Sequence, residues 1–209
     1  MPLPRFNKLD PSKQRELLDA AAAELAAKGL DGASIAAIVE RAGASKSAVY
    51  YYFEDKEDLF RTVLMDSINR AIESVGDLDP EAMAVNFWSQ LREKKARVMA
   101  YFAERPVDQA IWRLSLDMSD APRSTCQHTV HHHMRERWSR MIAIGRESGQ
   151  VRDDLPDELL INLWLAVDGT YQQFLIKQTD EEDFNLEKHA TRGVDFLERL
   201  FSTQPKARP

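Results

Sequence analysis

Apolar residues recur every three or four positions from Leu17 to Phe201, the spacing of amphipathic helices. Asp10 and Pro11 open the first helix as N-cap and first-turn proline, and Leu17, Leu18, Ala21, Ala22 and Leu25 line one face up to Gly29. Ser34 caps a second helix carrying Ile35, Ile38, Val39 and Ala42, which Gly43 ends in the left-handed conformation that glycine reaches most cheaply. Ser45 caps a short third helix reaching Phe53. Asp55 caps a fourth, whose stripe of Leu59, Phe60, Val63, Leu64, Ile68, Ala71, Ile72 and Val75 runs to Gly76.

The helical period continues through the second half. Asp79-Pro80 starts a helix with Met83, Phe87, Trp88 and Leu91 that goes on through Val98, Met99, Tyr101 and Phe102 to a break at Pro106. Further helices are predicted from Val107 to about Ser119, from Ser124 to Ser148, from Pro156 through Phe174, and from the cap Asn185 to Phe201. The fold class is therefore all-α. An N-terminal three-helix domain over residues 1–55 is expected, followed by a larger helical bundle over 56–209.

The stretch SIAAIVERAGASKSAVYYYF, residues 34–53, joins two short helices through a glycine-containing turn, which is a helix-turn-helix pattern. Its second member carries Ser45, Lys46, Ser47, Tyr50, Tyr51 and Tyr52. Around it stand Lys28-Gly29, Ser34, Ala42-Gly43-Ala44-Ser45-Lys46, Tyr50-Tyr51-Tyr52-Phe53 and Lys56-Glu57-Asp58-Leu59. In this order the residues resemble, from Arg15 to Leu64, the N-terminal domain of the TetR family of transcriptional regulators. The resemblance implies phosphate or base contacts for Ser45, Lys46, Tyr50, Tyr51 and Tyr52, and a phosphate contact for Lys56. Many members have Gly-Thr where this chain has Ser47-Ala48, so base preference does not transfer.

Side-chain chemistry gives the same stretch its roles. The start of the second helix, at Ser34, and the exposed face of the third meet DNA, while Ile38, Val49 and Phe53 fix the helices from inside. Lys46 supplies charge to a phosphate or a donor to guanine, Ser47 donates or accepts, and the Ala48 methyl suits a thymine methyl. Three successive tyrosines cannot share one helical face; Tyr50, three residues before Phe53, is expected to be the most internal. Residues 1–9 form a short arm with Arg5 and Lys8, whose ordinary reading is a frayed terminus.

Charge and composition change this picture little. With 44% hydrophobic and 30% charged residues the 209-residue chain belongs with soluble globular proteins, and its net charge of −6 excludes a generally basic surface. DNA binding needs only a local excess, and Arg41 to Phe53 holds Arg41 and Lys46 with no acid. The single Cys126 excludes an internal disulfide, MPLPRFNKLD lacks the apolar stretch of a signal peptide, and no run spans a membrane, so a cytoplasmic protein is expected.

In the second half, Trp88, Trp112, Trp138 and Trp164 fall on four predicted helices. With Met99, Phe102, Met141 and Tyr171 they are candidates to line a pocket for an apolar effector, the alternative being ordinary core. The resemblance implies that this domain binds a small effector and then releases DNA. Small residues Ala166 and Gly169 on one late helix, and Ala190 and Gly193 with Leu197 on the last, would let helices approach closely. The resemblance implies a homodimer through these two helices, and two-fold symmetry predicts a palindromic double-stranded operator.

The motif HTVHHH places His128 with His131 and His132 at helical spacing, a geometry that binds zinc, nickel or copper if Asp120 or Cys126 approaches. The preferred reading is an exposed or interface cluster, with no metal and no cofactor. A Cys126–His128 pair without an oxyanion-stabilising turn does not make a catalytic site, and no enzyme activity is expected. The competing hypothesis is a helical metal- or cofactor-binding enzyme, or an interaction module, that keeps a helix-turn-helix.

Overall fold

The computed structural model describes residues 2–117, 125–178 and 186–203 and folds them into ten α-helices. These are α1 (Pro11–Gly32), α2 (Ile35–Arg41), α3 (Lys46–Tyr52), α4 (Lys56–Ser74), α5 (Pro80–Val85), α6 (Phe87–Ala103), α7 (Pro106–Asp117), α8 (Thr125–Glu147), α9 (Asp157–Gln178) and α10 (Leu186–Phe201). The one extended pairing among the described residues is an isolated bridge between Val151 and Ser202. Asp120, and the side chains of Cys126, His128, His131 and Ala190, lie outside the described residues.

Local chemistry sets most helix ends. The Asp10 carboxylate accepts from the Ser12 amide, Ser34 from Ala37 and Ser45 from Ala48, so each start satisfies an otherwise unpaired N–H. The Asp55 carboxylate accepts from the Asp58 amide at the start of α4. Gly43, at φ 60°, makes the turn between α2 and α3.

The chain groups into two compact units, Met1–Arg70 with Arg105–Gln127, and Ala71–Glu104 with His128–Pro209. The first runs past residue 55 because α1 packs on α7 as well as on α2. Its interior holds Leu17, Leu25, Ile38, Val49, Phe53, Leu59, Phe60 and Ile111. Ion pairs tie its helices together: Arg15 makes two bonds to Asp66 of α4, at 3.1 and 2.7 Å, and Arg70 reaches Asp108 of α7 at 2.8 Å.

In the second unit α10 packs along α6 and α9. Trp164 stacks with Trp88 at 5.7 Å and with Phe201 at 5.5 Å, and its ring lies 5.6 Å from that of Trp138. Met83, Phe87, Leu91, Met141, Leu160 and Leu197 complete this core. One expectation is corrected here. The helix starting at Pro80 does not continue through Trp88 but breaks at Asn86, whose side chain accepts from Ser89 and starts α6 afresh. The break is splinted from a distance: the Gln150 side chain accepts from the Phe87 amide at 2.8 Å and donates to the Ala84 carbonyl at 2.8 Å. Periodicity cannot register a partner more than sixty residues away.

Candidate nucleic-acid interface

The third helix shows two distinct sides. Val49 and Phe53, both 1% exposed, point into the first unit with Ile38, which fixes the angle of α3 against α2. Burying each such side chain contributes about 1.5–3 kcal/mol, so the orientation is held by core packing, not by the propensity of a seven-residue helix. Opposite them Lys46, Ser47, Tyr50 and Tyr51 are exposed, at the i, i+1, i+4, i+5 positions that share one helical face. Ala48 is half-buried.

The tyrosines correct the sequence expectation. Tyr50 is 52% and Tyr51 51% exposed, whereas Tyr52 is the half-buried one. Its ring meets Phe6 edge-on at 5.9 Å and Tyr51 at 5.2 Å. The N-terminal arm supplies that pocket, and so it is not frayed. Phe6 is buried against Phe53 at 5.0 Å, and the Leu3 amide donates to the Tyr52 carbonyl at 2.8 Å. The apolar Leu3, Phe6 and Leu9 of the arm, three residues apart, were the trace of this docking in the sequence.

The remaining site candidates combine structural and surface roles. Ser34 and Ser45 use their oxygens as caps, and the Ser45 and Ser47 hydroxyls lie 2.9 Å apart in a hydrogen bond. Each hydroxyl still has capacity for a phosphate or base edge. The Lys56 ammonium donates to the carbonyls of Asp31 and Ala33, at 2.9 and 3.2 Å, where a cation favours the end of α1. Two of its three donors are thus engaged within the protein, leaving one for an outside acceptor.

Sequence reasoning missed Glu24. It is buried, pairs with Lys28 at 2.9 Å and accepts from the Ser34 amide at 3.2 Å, tying α1 to the start of α2. The Lys28 hydrogen bond, with that from Ser34, holds its carboxyl below the ordinary glutamate value despite desolvation. A depressed folded pKa gives stability that is present above the unfolded value and lost as pH falls through the folded one. Acid titration of thermal stability is therefore expected to show a loss below the ordinary glutamate range that Glu24→Gln reduces. An identical acid profile in the variant would refute this role.

Among the candidate pocket residues, Trp88, Trp138, Met141 and Trp164 meet in one packed cluster. Met99 and Phe102 are buried elsewhere in α6, and Trp112 belongs to the first unit. Tyr171 is half-buried and donates to the His189 carbonyl at 2.9 Å. Of the small late-helix residues, Ala166 is exposed and Gly169 half-exposed, while Leu197 is in the core. A Cβ at Gly193 would lie 2.7 Å from the Tyr171 ring, so this glycine seats the chain's own tyrosine. His132 is exposed, and among the described residues no three metal-ligating side chains converge. No described helix is long and apolar enough to cross a membrane.

Within the first unit α2 and α3 form a helix-turn-helix, and the outer face of α3 is free of acids while its inner face is held by core packing. Residues 17–63 match the sequence family described as bacterial regulatory proteins, tetR family. The chain is 25% identical over 198 residues to the HTH-type transcriptional regulator BetI of Cronobacter sakazakii, covering 90% of this chain and 91% of that one. It is 24% identical over 200 residues to the probable acrEF/envCD operon repressor of Escherichia coli, covering 90% and 86%. In fold it is similar to SmeT, the repressor of the Stenotrophomonas maltophilia multidrug efflux pump SmeDEF, with a TM-score of 0.68 at 16% identity over 93% of this chain and 95% of that one. The N-terminal domain of the chain is thus that of the TetR family of transcriptional regulators.

Proposed function

We propose that the protein is a homodimeric repressor that binds a palindromic operator and leaves it when a small, largely apolar effector occupies the second unit. The exposed face of α3 carries this reading: Lys46, Ser47, Tyr50 and Tyr51 stand together on a helix locked by Val49 and Phe53. Repressors among the relatives support the direction of control. Selection of duplexes from a random pool, then titration of the winner across salt concentrations with and without apolar candidates, tests it. An enriched palindrome with a steep salt slope, and release by an effector, is the expected result. No enrichment sinks the reading.

The dimer reading rests on apolar residues the core leaves outside. Leu159, Leu163 and Phe174 on α9, with Phe196 and Leu200 on α10, are each 41–52% exposed. Tyr171 contacts Phe174 and Phe196 at 6.2 and 5.6 Å, making the patch continuous across both helices. A second copy related by a two-fold axis would cover it on both protomers at once. Leu163→Glu combined with Phe196→Glu is expected to yield monomers at micromolar concentration with unchanged helix content, measured by sedimentation and circular dichroism. A dimer that persists in this variant would move the interface elsewhere.

The effector reading is supported by one orphaned group. Trp164 is fully buried, and its indole N–H lacks a hydrogen-bond partner. A largely apolar ligand with a single acceptor would match that donor in chemistry, and its entry requires the packed aromatic cluster to open.

A further inference from the structure

We propose that Arg5 is a DNA-phosphate ligand, presented on the recognition face by stacking on Tyr51; this rests on the operator-binding reading above. The Arg5 guanidinium lies 4.3 Å from the centroid of the Tyr51 ring, within the range of a cation–π contact. Both residues are exposed. With its central carbon over the ring and its side chain exposed, the guanidinium keeps N–H donors for solvent-side acceptors, and its fork can take two phosphate oxygens at once.

The arm that carries it is pinned at both ends. The Leu3 amide closes on the Tyr52 carbonyl, Phe6 is buried under Tyr52 and Phe53, and Phe6–Lys8 forms a 3-10 turn. The Gln14 side chain then holds the Leu9 carbonyl at 2.7 Å just before Asp10 caps α1. An arm ordered in advance loses little entropy when DNA arrives, so its charge counts nearly in full. It also counts because charge is scarce here: from Arg41 to Phe53 the basic residues are Arg41 and Lys46. Arg5 lies outside residues 17–63, so the family match does not assign it.

Fluorescence anisotropy of the full-length protein with its selected duplex, over a range of salt, provides the test. Arg5→Ala is expected to weaken binding about tenfold and to lower the salt slope by about two, one phosphate per protomer of a dimer. Its melting temperature should match that of the parent, since Arg5 is exposed. Arg5→Lys should keep most of the slope yet lose affinity, because an ammonium does not stack or fork as guanidinium does. In a Tyr51→Leu background the Arg5→Ala effect should shrink, the platform being gone already. Unchanged affinity and slope in Arg5→Ala, while Lys46→Ala is weakened, would overturn the proposal and leave operator binding intact. Weaker binding with an unchanged slope and a lower melting temperature would assign Arg5 a structural role and also overturn it. Failure of the parent protein to bind any selected duplex would remove both readings together.

Discussion

Lys46→Ala is expected to lower operator affinity by about 1–3 kcal/mol per protomer, entered twice in a two-fold complex, so that binding falls about thirtyfold or more. The size follows from position. Lys46 is exposed at the first turn of α3, beside Ser47 and one turn before Tyr50 and Tyr51, where a side chain reaches either a base edge or a phosphate. The same experiment separates those partners. A phosphate contact weakens all duplexes alike and lowers the salt slope, whereas a guanine contact relaxes preference at one position in each half-site. Sedimentation should show the oligomer unchanged, because Lys46 is remote in sequence from the apolar patch of α9 and α10 and points to solvent. Wild-type affinity in Lys46→Ala, measured by anisotropy at two salt concentrations, would remove this face from the interface.

Trp164→Ala carries the other large effect, a loss of about 3–5 kcal/mol of folding stability in the second unit. The side chain is fully buried and packed on three sides by Trp88, Trp138 and Phe201, so truncation leaves a cavity whose rigid aromatic walls collapse poorly. Trp164→Phe should behave quite differently. It removes some packing but also the buried N–H that has no partner, a group that costs about 1–3 kcal/mol to leave unsatisfied, and the two changes oppose each other. Chemical denaturation of both variants is the measurement, with near-parent stability expected for the phenylalanine. If that indole N–H serves the effector, the same variant should keep operator affinity and respond only weakly to the ligand. A full effector response in Trp164→Phe would end that assignment.

The recognition unit was largely legible in the chain because its signals are local. Asp10, Ser34 and Ser45 cap helices through amides two or three residues away, and Gly43 turns within its own motif. The apolar positions Ile38, Val49 and Phe53 turned inward as their spacing required. Tyr50 and Tyr52 exchanged their expected exposures because the wall beside Tyr52 is Phe6, forty-six positions earlier, and no window of sequence contains both. Asn86 divides an apparently unbroken helix for a similar reason, with Gln150 supplying the hydrogen bonds that make the break affordable.

By itself, the sequence determined that the chain is helical, where most helices begin, that a helix-turn-helix lies at residues 34–53, and which family its N-terminal domain resembles. Each follows from hydrophobic period, capping chemistry or an ordered motif, all written within a few turns of chain. Only the tertiary structure decided which apolar residues of α9 and α10 remain outside, because both helices carry apolar groups beyond the stripe that the core covers, Leu163 and Phe196 among them. It also decided that Gly193 seats Tyr171, that Lys56 serves the end of α1, and that Arg5 rests on Tyr51. Those contacts join residues far apart in the chain, and their energy depends on distances that exist only once the helices have packed.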